Sequence, residues 1–255
     1  MFTKPQPSIK VAAIQAAPVA FDLAASLKKV TLLTAEAASN GAELVVFPEA
    51  FLSAYPWRYA FDATVGSREP RGTFNMAPPV FSRPKWFAKY YESSIRIPSS
   101  EFDVLRDCAR ENGVVLSVGI VEQAENGGGT LFCTTVLIGK DGELLHKHRK
   151  LVPTGAERVV WGRGAGDSLK VVDPGFGWRT GGLICWENYM PAARLALYQL
   201  GIDGGSCILG PLGTFLAEPV RDKEVILYAT LQHSELIEAR MDFDPVGTYS
   251  RPDIL

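Results

Sequence analysis

The chain has 255 residues, 47% of them hydrophobic and 21% charged, which is ordinary globular composition with enough length for a sizeable core and excludes a disordered or fibrous protein. A net charge of −2 at pH 7 and a sequence pI near 6.0 provide no basic field for nucleic acid, and the lysines and arginines are scattered. The opening Met1-Phe2-Thr3-Lys4-Pro5-Gln6-Pro7 lacks the apolar core of a secretory signal, and no apolar run is long enough to span a bilayer. A soluble, cytoplasmic protein with a small-molecule partner and no nucleic-acid or membrane partner is expected. Cys108, Cys133, Cys185 and Cys207 show no CxxC spacing and read as reduced thiols.

Lys10 to Ala16 reads as a short buried strand ended by Pro18. Asp22 then caps a helix carrying Leu23, Leu27, Val30, Leu33 and Ala37 at helical spacing, and Asn40-Gly41 closes it. Glu43 to Phe47 is a second buried strand, so this opening is a βαβ unit with a parallel strand pair. Pro48 stops the strand, and Glu49 follows. Phe51 to Pro98 is a long, partly helical excursion rich in aromatics, including Tyr55 and Trp57, that suits either a pocket wall or a local hydrophobic cluster.

Glu101 to Asn112 is an amphipathic helix terminated by Gly113, and Val114 to Ile120 is a third buried strand. Thr130 to Gly139 and Glu143 to His148, joined by Lys140-Asp141-Gly142, form an antiparallel hairpin. Lys150 opens a loop containing Pro153, Thr154 and Glu157. Further strands are expected over Ser168 to Asp173 and Arg179 to Cys185, then a helix from Pro191 to Leu200 stopped by Gly201. A hairpin from Gly204 to Val220, a strand from Glu224 to Leu231 and a short helix from Ser234 to Met241 complete a single domain over residues 1–255.

The stretch Gly181-Gly182-Leu183-Ile184-Cys185-Trp186-Glu187-Asn188-Tyr189-Met190-Pro191 sets one cysteine between an apolar run and a helix start. A thiol facing the positive end of a helix has its pKa lowered and becomes a nucleophile, although a buried, inert cysteine has the same local appearance. Glu49, Lys150 and Cys185 each stand just beyond a strand, at the carboxyl ends where α/β sites assemble. Carboxylate, ammonium and thiol in one pocket supply a base, a cation for developing negative charge, and a nucleophile. Singly, Glu49 also reads as an exposed strand-end carboxylate, and Lys150 as part of a solvated basic patch with Lys147 and Arg149.

Phe47-Pro48-Glu49-Ala50, His148-Arg149-Lys150-Leu151 with Pro153-Thr154 and Glu157-Arg158, and Cys185-Trp186-Glu187-Asn188 with Met190-Pro191 resemble the nitrilase branch of the carbon-nitrogen hydrolase superfamily. The match runs from about Lys10 to Ile202 and resumes from Gly204 to Leu255. It ends in Asp242-Phe243-Asp244, Gly247 and Tyr249-Ser250-Arg251-Pro252-Asp253, which is similar to the C-terminal signature of nitrilases. The resemblance implies an αββα four-layer sandwich that dimerises through its helical layer and often builds spiral oligomers. It implies hydrolysis of a nitrile to a carboxylic acid and ammonia with neither cofactor nor metal. By position, Cys185 attacks the nitrile carbon, Glu49 is the general base, Lys150 steadies charged intermediates, and Glu157 positions the lysine and substrate. Trp186, Tyr55 and Trp57 are the candidate substrate-binding residues.

The chain departs from the family pattern after the cysteine helix. Where relatives continue into a strand, a long helix and another strand, Ile202-Asp203 runs directly into Gly204-Gly205-Ser206-Cys207, so a family segment is missing between residues 203 and 204. The end at Leu255 is also a little short of the pattern. The sheet beside Cys185 is expected to be incomplete and to expose an edge and apolar faces. A catalytically impaired nitrilase-like subunit acting through binding or co-assembly, an amidase or cyanide hydratase, and a structural protein with an inert cysteine stand as the alternatives to an active nitrilase.

Overall fold

In a computed structural model, the residues described are 4–56, 83–199, 208–211, 214–218, 220 and 223–242. The opening folds as its periodicity dictates. Strand β1 (Ser8–Gln15) alternates Ile9 and Val11 toward one face with Ala12 and Ile14 toward the other. Helix α1 (Leu23–Ser39) starts where the Asp22 carboxylate accepts from the Ala25 N–H at 2.9 Å. It returns the chain to β2 (Leu44–Val46), parallel to β1 with Val11 beside Leu44.

After α2 (Arg83–Glu92) comes α3 (Ser100–Asn112), capped by the Ser99 hydroxyl and ended by Gly113 at φ 62°. Then β3 (Val115–Gln123) pairs parallel to β2, and β4 (Leu131–Ile138) and β5 (Leu144–Arg149) continue antiparallel through the Asp141-Gly142 turn, where Gly142 has φ 82°. Helix α4 (Pro191–Gln199) follows the cysteine, and β6 (Val225–Gln232) runs antiparallel to β1 and leads into α5 (His233–Asp242). The sheet order is β5-β4-β3-β2-β1-β6.

Its two faces are covered unequally. Helices α1 and α3 bury Leu27, Val30, Phe102 and Leu105 against Ala12, Val45, Leu116, Val118 and Val136. On the other face Phe176, Trp178 and Ile208 cover Ile9, Val11, Val115 and Leu137. Val46, on an inner strand of this same face, remains 38% exposed.

The α/β class and the helical layer on a mixed sheet are as expected. Of a second sheet, the described residues hold only the isolated bridges Val172 to Thr180 and Leu209 to Phe215. The strands expected over Ser168 to Asp173 and Arg179 to Cys185 are therefore corrected to single-bridge segments, and Gly181 to Ile184 runs without ladder partners. A strand is defined by its neighbour, and no neighbouring ladder stands beside this run among the described residues. Trp57, the junction from Ile202 to Gly205 and the motif from Phe243 onward lie outside the described residues.

Candidate active site

Glu49 is placed by a tight crossing of backbone over backbone. The ladder ends as the Phe47 N–H donates to the Ser117 carbonyl at 2.9 Å, Pro48 cannot donate further, and Ala50 takes a left-handed φ of 49°. This turn lies directly on Gly119 of β3. A Cβ at Gly119 would stand 2.3 Å from the Pro48 carbonyl oxygen, 2.6 Å from the Ala50 nitrogen and 2.7 Å from the Glu49 Cα, so no side chain fits there.

Lys150 enters from the edge strand β5. Its N–H donates to the Cys133 carbonyl at 2.8 Å, continuing the β4–β5 pairing, and Gly164 packs so closely on Arg149 that a Cβ would lie 2.1 Å from its carbonyl oxygen. Lys147 and Arg149 turn to Glu122, with Arg149 bidentate at 2.8 and 2.7 Å. Lys150 turns the other way and is only 1% exposed, so it is no solvated basic patch. Its Nζ donates to Glu49 Oε1 at 2.6 Å and to Glu157 Oε2 at 2.8 Å. Burial works against its charge, but the hydrogen bonds to Glu157 and Glu49 win and raise it above the ordinary lysine range.

Glu157 is buried on the single turn Gly155–Val159, where its carboxylate also accepts from the Thr154 N–H at 2.6 Å and from the Tyr55 hydroxyl. The Tyr55 ring packs edge-on against Trp161 at 5.6 Å, and the Lys150 ammonium lies 5.8 Å from the Trp161 ring centre. Tyr55 thus belongs to the site through Glu157.

Cys185 begins the single turn Cys185–Tyr189 with φ 53°, a left-handed conformation uncommon for a residue with a side chain. It is exposed, whereas Cys108 and Cys133 are buried. Its thiol is pushed up rather than down. Partial burial raises it first, then the Glu49 charge, while the Lys150 ammonium and the Trp186 N–H only partly offset them. The expected lowering by a helix terminus is corrected: α4 begins only at Pro191, and the dipole fades within a turn. Hydrogen bonds join Lys150 to Glu49 and Glu157, and the charges of all three act on the Cys185 thiol.

Trp186 is 62% exposed and stands 5.6 Å from the Tyr189 ring. With Val152, Pro153, Thr154 and Arg158 it lines a surface cavity of about 260 Å³ beside the thiol turn. Sequence reasoning missed Cys133, whose Sγ donates to Glu49 Oε1 at 3.3 Å, and the carboxylate of Glu187, buried just beyond the cysteine. It also missed Gly119, for which a glycine within an apolar strand was the available signal. Among the described residues no group of three or more His, Cys, Asp or Glu side chains is arranged to hold a metal ion, and no helix is long and apolar enough to cross a membrane.

Chemically, the arrangement offers a neutral, accessible thiol, a carboxylate within its electrostatic reach to take the proton, and a permanent buried cation to receive negative charge. Residues 10–203 match the family model described as carbon-nitrogen hydrolase. An aliphatic nitrilase of Sinorhizobium fredii (strain HH103) is 35% identical over 303 aligned positions, covering 96% of this chain and 93% of that protein. Nitrilase 2 of Arabidopsis thaliana is 33% identical over 310 positions, covering 97% and 87%. Among solved structures, Nit3 of Saccharomyces cerevisiae, a member of branch 10 of the nitrilase superfamily, superposes with a TM-score of 0.72 at 19% identity, covering 98% of this chain and all of that one. The carbon-nitrogen hydrolase of Helicobacter pylori G27 gives 0.69 at 18% identity, covering 96% of each. Matched over most of its length by the family model and by nitrilases above 30% identity, the chain belongs to the carbon-nitrogen hydrolase family.

Proposed function

We propose that the chain is a nitrilase that converts a small nitrile to a carboxylic acid and ammonia, with Cys185 as nucleophile. The observation that carries this reading is the buried Lys150 ammonium gripped by Glu49 and Glu157, whose charges act on the accessible Cys185 thiol. Glu49 takes the thiol proton as Sγ bonds to the nitrile carbon, and the proton passes to the nitrile nitrogen, leaving a thioimidate. Lys150 stabilises the charge that develops on that nitrogen. A water deprotonated by Glu49 adds next, the carbon–nitrogen bond breaks, ammonia leaves with the returned proton, and a thioester remains. A second water cleaves the carbon–sulfur bond, giving the acid and the free thiol.

Because the resting thiol is neutral, attack requires proton transfer to Glu49 rather than a preformed thiolate. Glu157 fixes Lys150 by two hydrogen bonds and is itself fixed by Tyr55 and Thr154. Tyr55 and Trp186 form walls for the substrate, and Trp57 is retained with them on the motif alone. Assembly into a homo-oligomer through the helical layer belongs to the same reading, supported by Leu32 of α1 and Val104 of α3, which are 61% and 40% exposed.

We also propose that the single domain lacks a family segment between residues 203 and 204. Three observations support it: the family match ends at residue 203, the relatives' alignments are longer than the 255-residue chain, and Val46 is uncovered on an inner strand. The exposed Val46 also favours the second reading, a subunit whose turnover is impaired. Ammonia and acid released from aliphatic, aromatic and arylaceto-nitriles, with the matching amides and a Cys185→Ala control run in parallel, separates these readings. Equal acid and ammonia from a nitrile supports a nitrilase. Amide as the main product would make it a hydratase, and no Cys185-dependent product from a cooperatively folded chain would leave the impaired subunit.

A further inference from the structure

One buried carboxylate beside the site takes no part in the reaction above. Glu187 is 1% exposed, and its oxygens face three donors on two segments, His148 and Leu151 on one and Ile184 on the other. Oε1 receives the Leu151 N–H at 2.6 Å, and Oε2 receives the Ile184 N–H at 2.7 Å and faces His148 Nε2 at 2.9 Å. Leu151 follows Lys150, and Ile184 precedes Cys185. One side chain therefore ties the backbone next to the ammonium to the backbone next to the thiol.

The tie is itself braced. His148 is fully buried, Nε2–H donates to the carboxylate, and Nδ1 lies 2.9 Å from Ser168 Oγ, whose hydroxyl reaches the Ala165 carbonyl at 2.7 Å. Burial alone would favour a neutral Glu187, yet the His148 hydrogen bond and the two backbone N–H groups hold it below the usual carboxylate range. The grip falls beside a residue in the left-handed conformation. Cys185 keeps its left-handed φ of 53° only if its surroundings over-determine it. The Ile184 N–H held by Glu187, the Glu187 N–H donated to the Ile184 carbonyl at 3.1 Å and the Asn188 amide on the Cys185 carbonyl at 2.9 Å do so.

We propose that Glu187, braced by His148, is a positioning residue that clamps the thiol turn onto the lysine loop and so sets where Cys185 Sγ stands relative to Glu49 and Lys150. This deepens the nitrilase reading and rests on it for the kinetic consequence alone. In Glu187→Gln a neutral amide oxygen can satisfy one backbone N–H while its NH₂ opposes the other, so one loop is released with the shape of the core retained.

The test measures kcat and KM on the fastest nitrile together with the pH dependence of Cys185 alkylation by iodoacetamide, alongside circular dichroism and melting. Glu187→Gln is expected to lower kcat roughly tenfold or more with KM within about threefold, and to displace the alkylation profile by about half a pH unit or more. Glu187→Asp, which keeps the charge with a shorter reach, is expected to fall between. A Glu187→Gln protein that melts lower but keeps kcat and the alkylation profile would make Glu187 a structural group only and overturn the proposal. Should that variant fail to fold, Ser168→Ala loosens His148 from the outside and is expected to lower kcat about two- to fivefold with a smaller displacement in the same direction; no change in either would equally overturn it. The alkylation profile requires no turnover, so a wild type inactive on every nitrile would sink the nitrilase reading while the clamp is still judged by Cys185.

Discussion

Val45 and Val46 are neighbours on one strand, yet the first is wholly buried under α1 and α3 and the second is 38% exposed on the opposite face. The helix-covered side is built from sequence-local units, a βαβ crossover and a hairpin, and it is complete. The other side relies on segments that arrive late in the chain, and there the described residues supply bridges rather than a ladder. The proposed catalytic groups Glu49 and Lys150 follow the carboxyl ends of β2 and β5, on strands fixed by the complete side. Cys185 instead follows a run with no strand ladder among the described residues, and the backbone before it is held by the Glu187 carboxylate.

The largest effects are expected from the groups anchored on the complete side. Glu49→Gln and Lys150→Ala are each expected to lower turnover a hundredfold or more, about 3 kcal/mol in the barrier, with unchanged circular dichroism. Near-normal ammonia release from either variant removes that residue from the mechanism.

The sparse face is not open everywhere. His146 is buried there, and burial, with His148 and Lys170 nearby, pushes it down from 6.5 to about 4. The unfolded chain takes up this proton below about pH 6.5 and the folded chain only below about 4, so stability is full above 6.5 and is lost as pH falls between the two values. The loss is on the order of 2–3 kcal/mol. Melting from pH 7 to 4 is expected to show it in the wild type and much less of it in His146→Leu; parallel curves would mean that this end of the face is wet.

The most direct contrast is between the two valines. Val45→Ala is expected to cost about 2 kcal/mol and Val46→Ala less than about 0.5 kcal/mol in denaturant unfolding. Inserting a homologous strand-helix-strand segment between Asp203 and Gly204 is expected to raise solubility and turnover and to bring the cost at Val46 up toward that at Val45. Equal costs in the unrepaired chain would break the comparison. Smaller still, Cys133→Ala removes one thiol contact from Glu49 and is expected to lower kcat a few-fold without affecting KM.

Much of the complete side was legible because its signals are local: Asp22, Gly113 and Asp141-Gly142 each announce an element boundary through backbone chemistry. The run before Cys185 was misread because four small apolar residues look alike whether or not a neighbour pairs with them. Glu49, Lys150 and Cys185 were visible as types at strand ends, but their meeting depends on Gly119 and Gly164 admitting backbone crossings that spacing does not reveal. The direction of the thiol shift was missed because it depends first on partial burial and then on the Glu49 charge, both set by tertiary neighbours remote in sequence.

Covalent chemistry at Cys185 is tested most directly by mass spectrometry of the chain mixed with its best nitrile and quenched in acid. A substrate-derived mass on the peptide containing Cys185, absent from Cys185→Ala along with ammonia release, is the expected result. Ammonia release surviving in Cys185→Ala, or a substrate adduct confined to another residue, would contradict it.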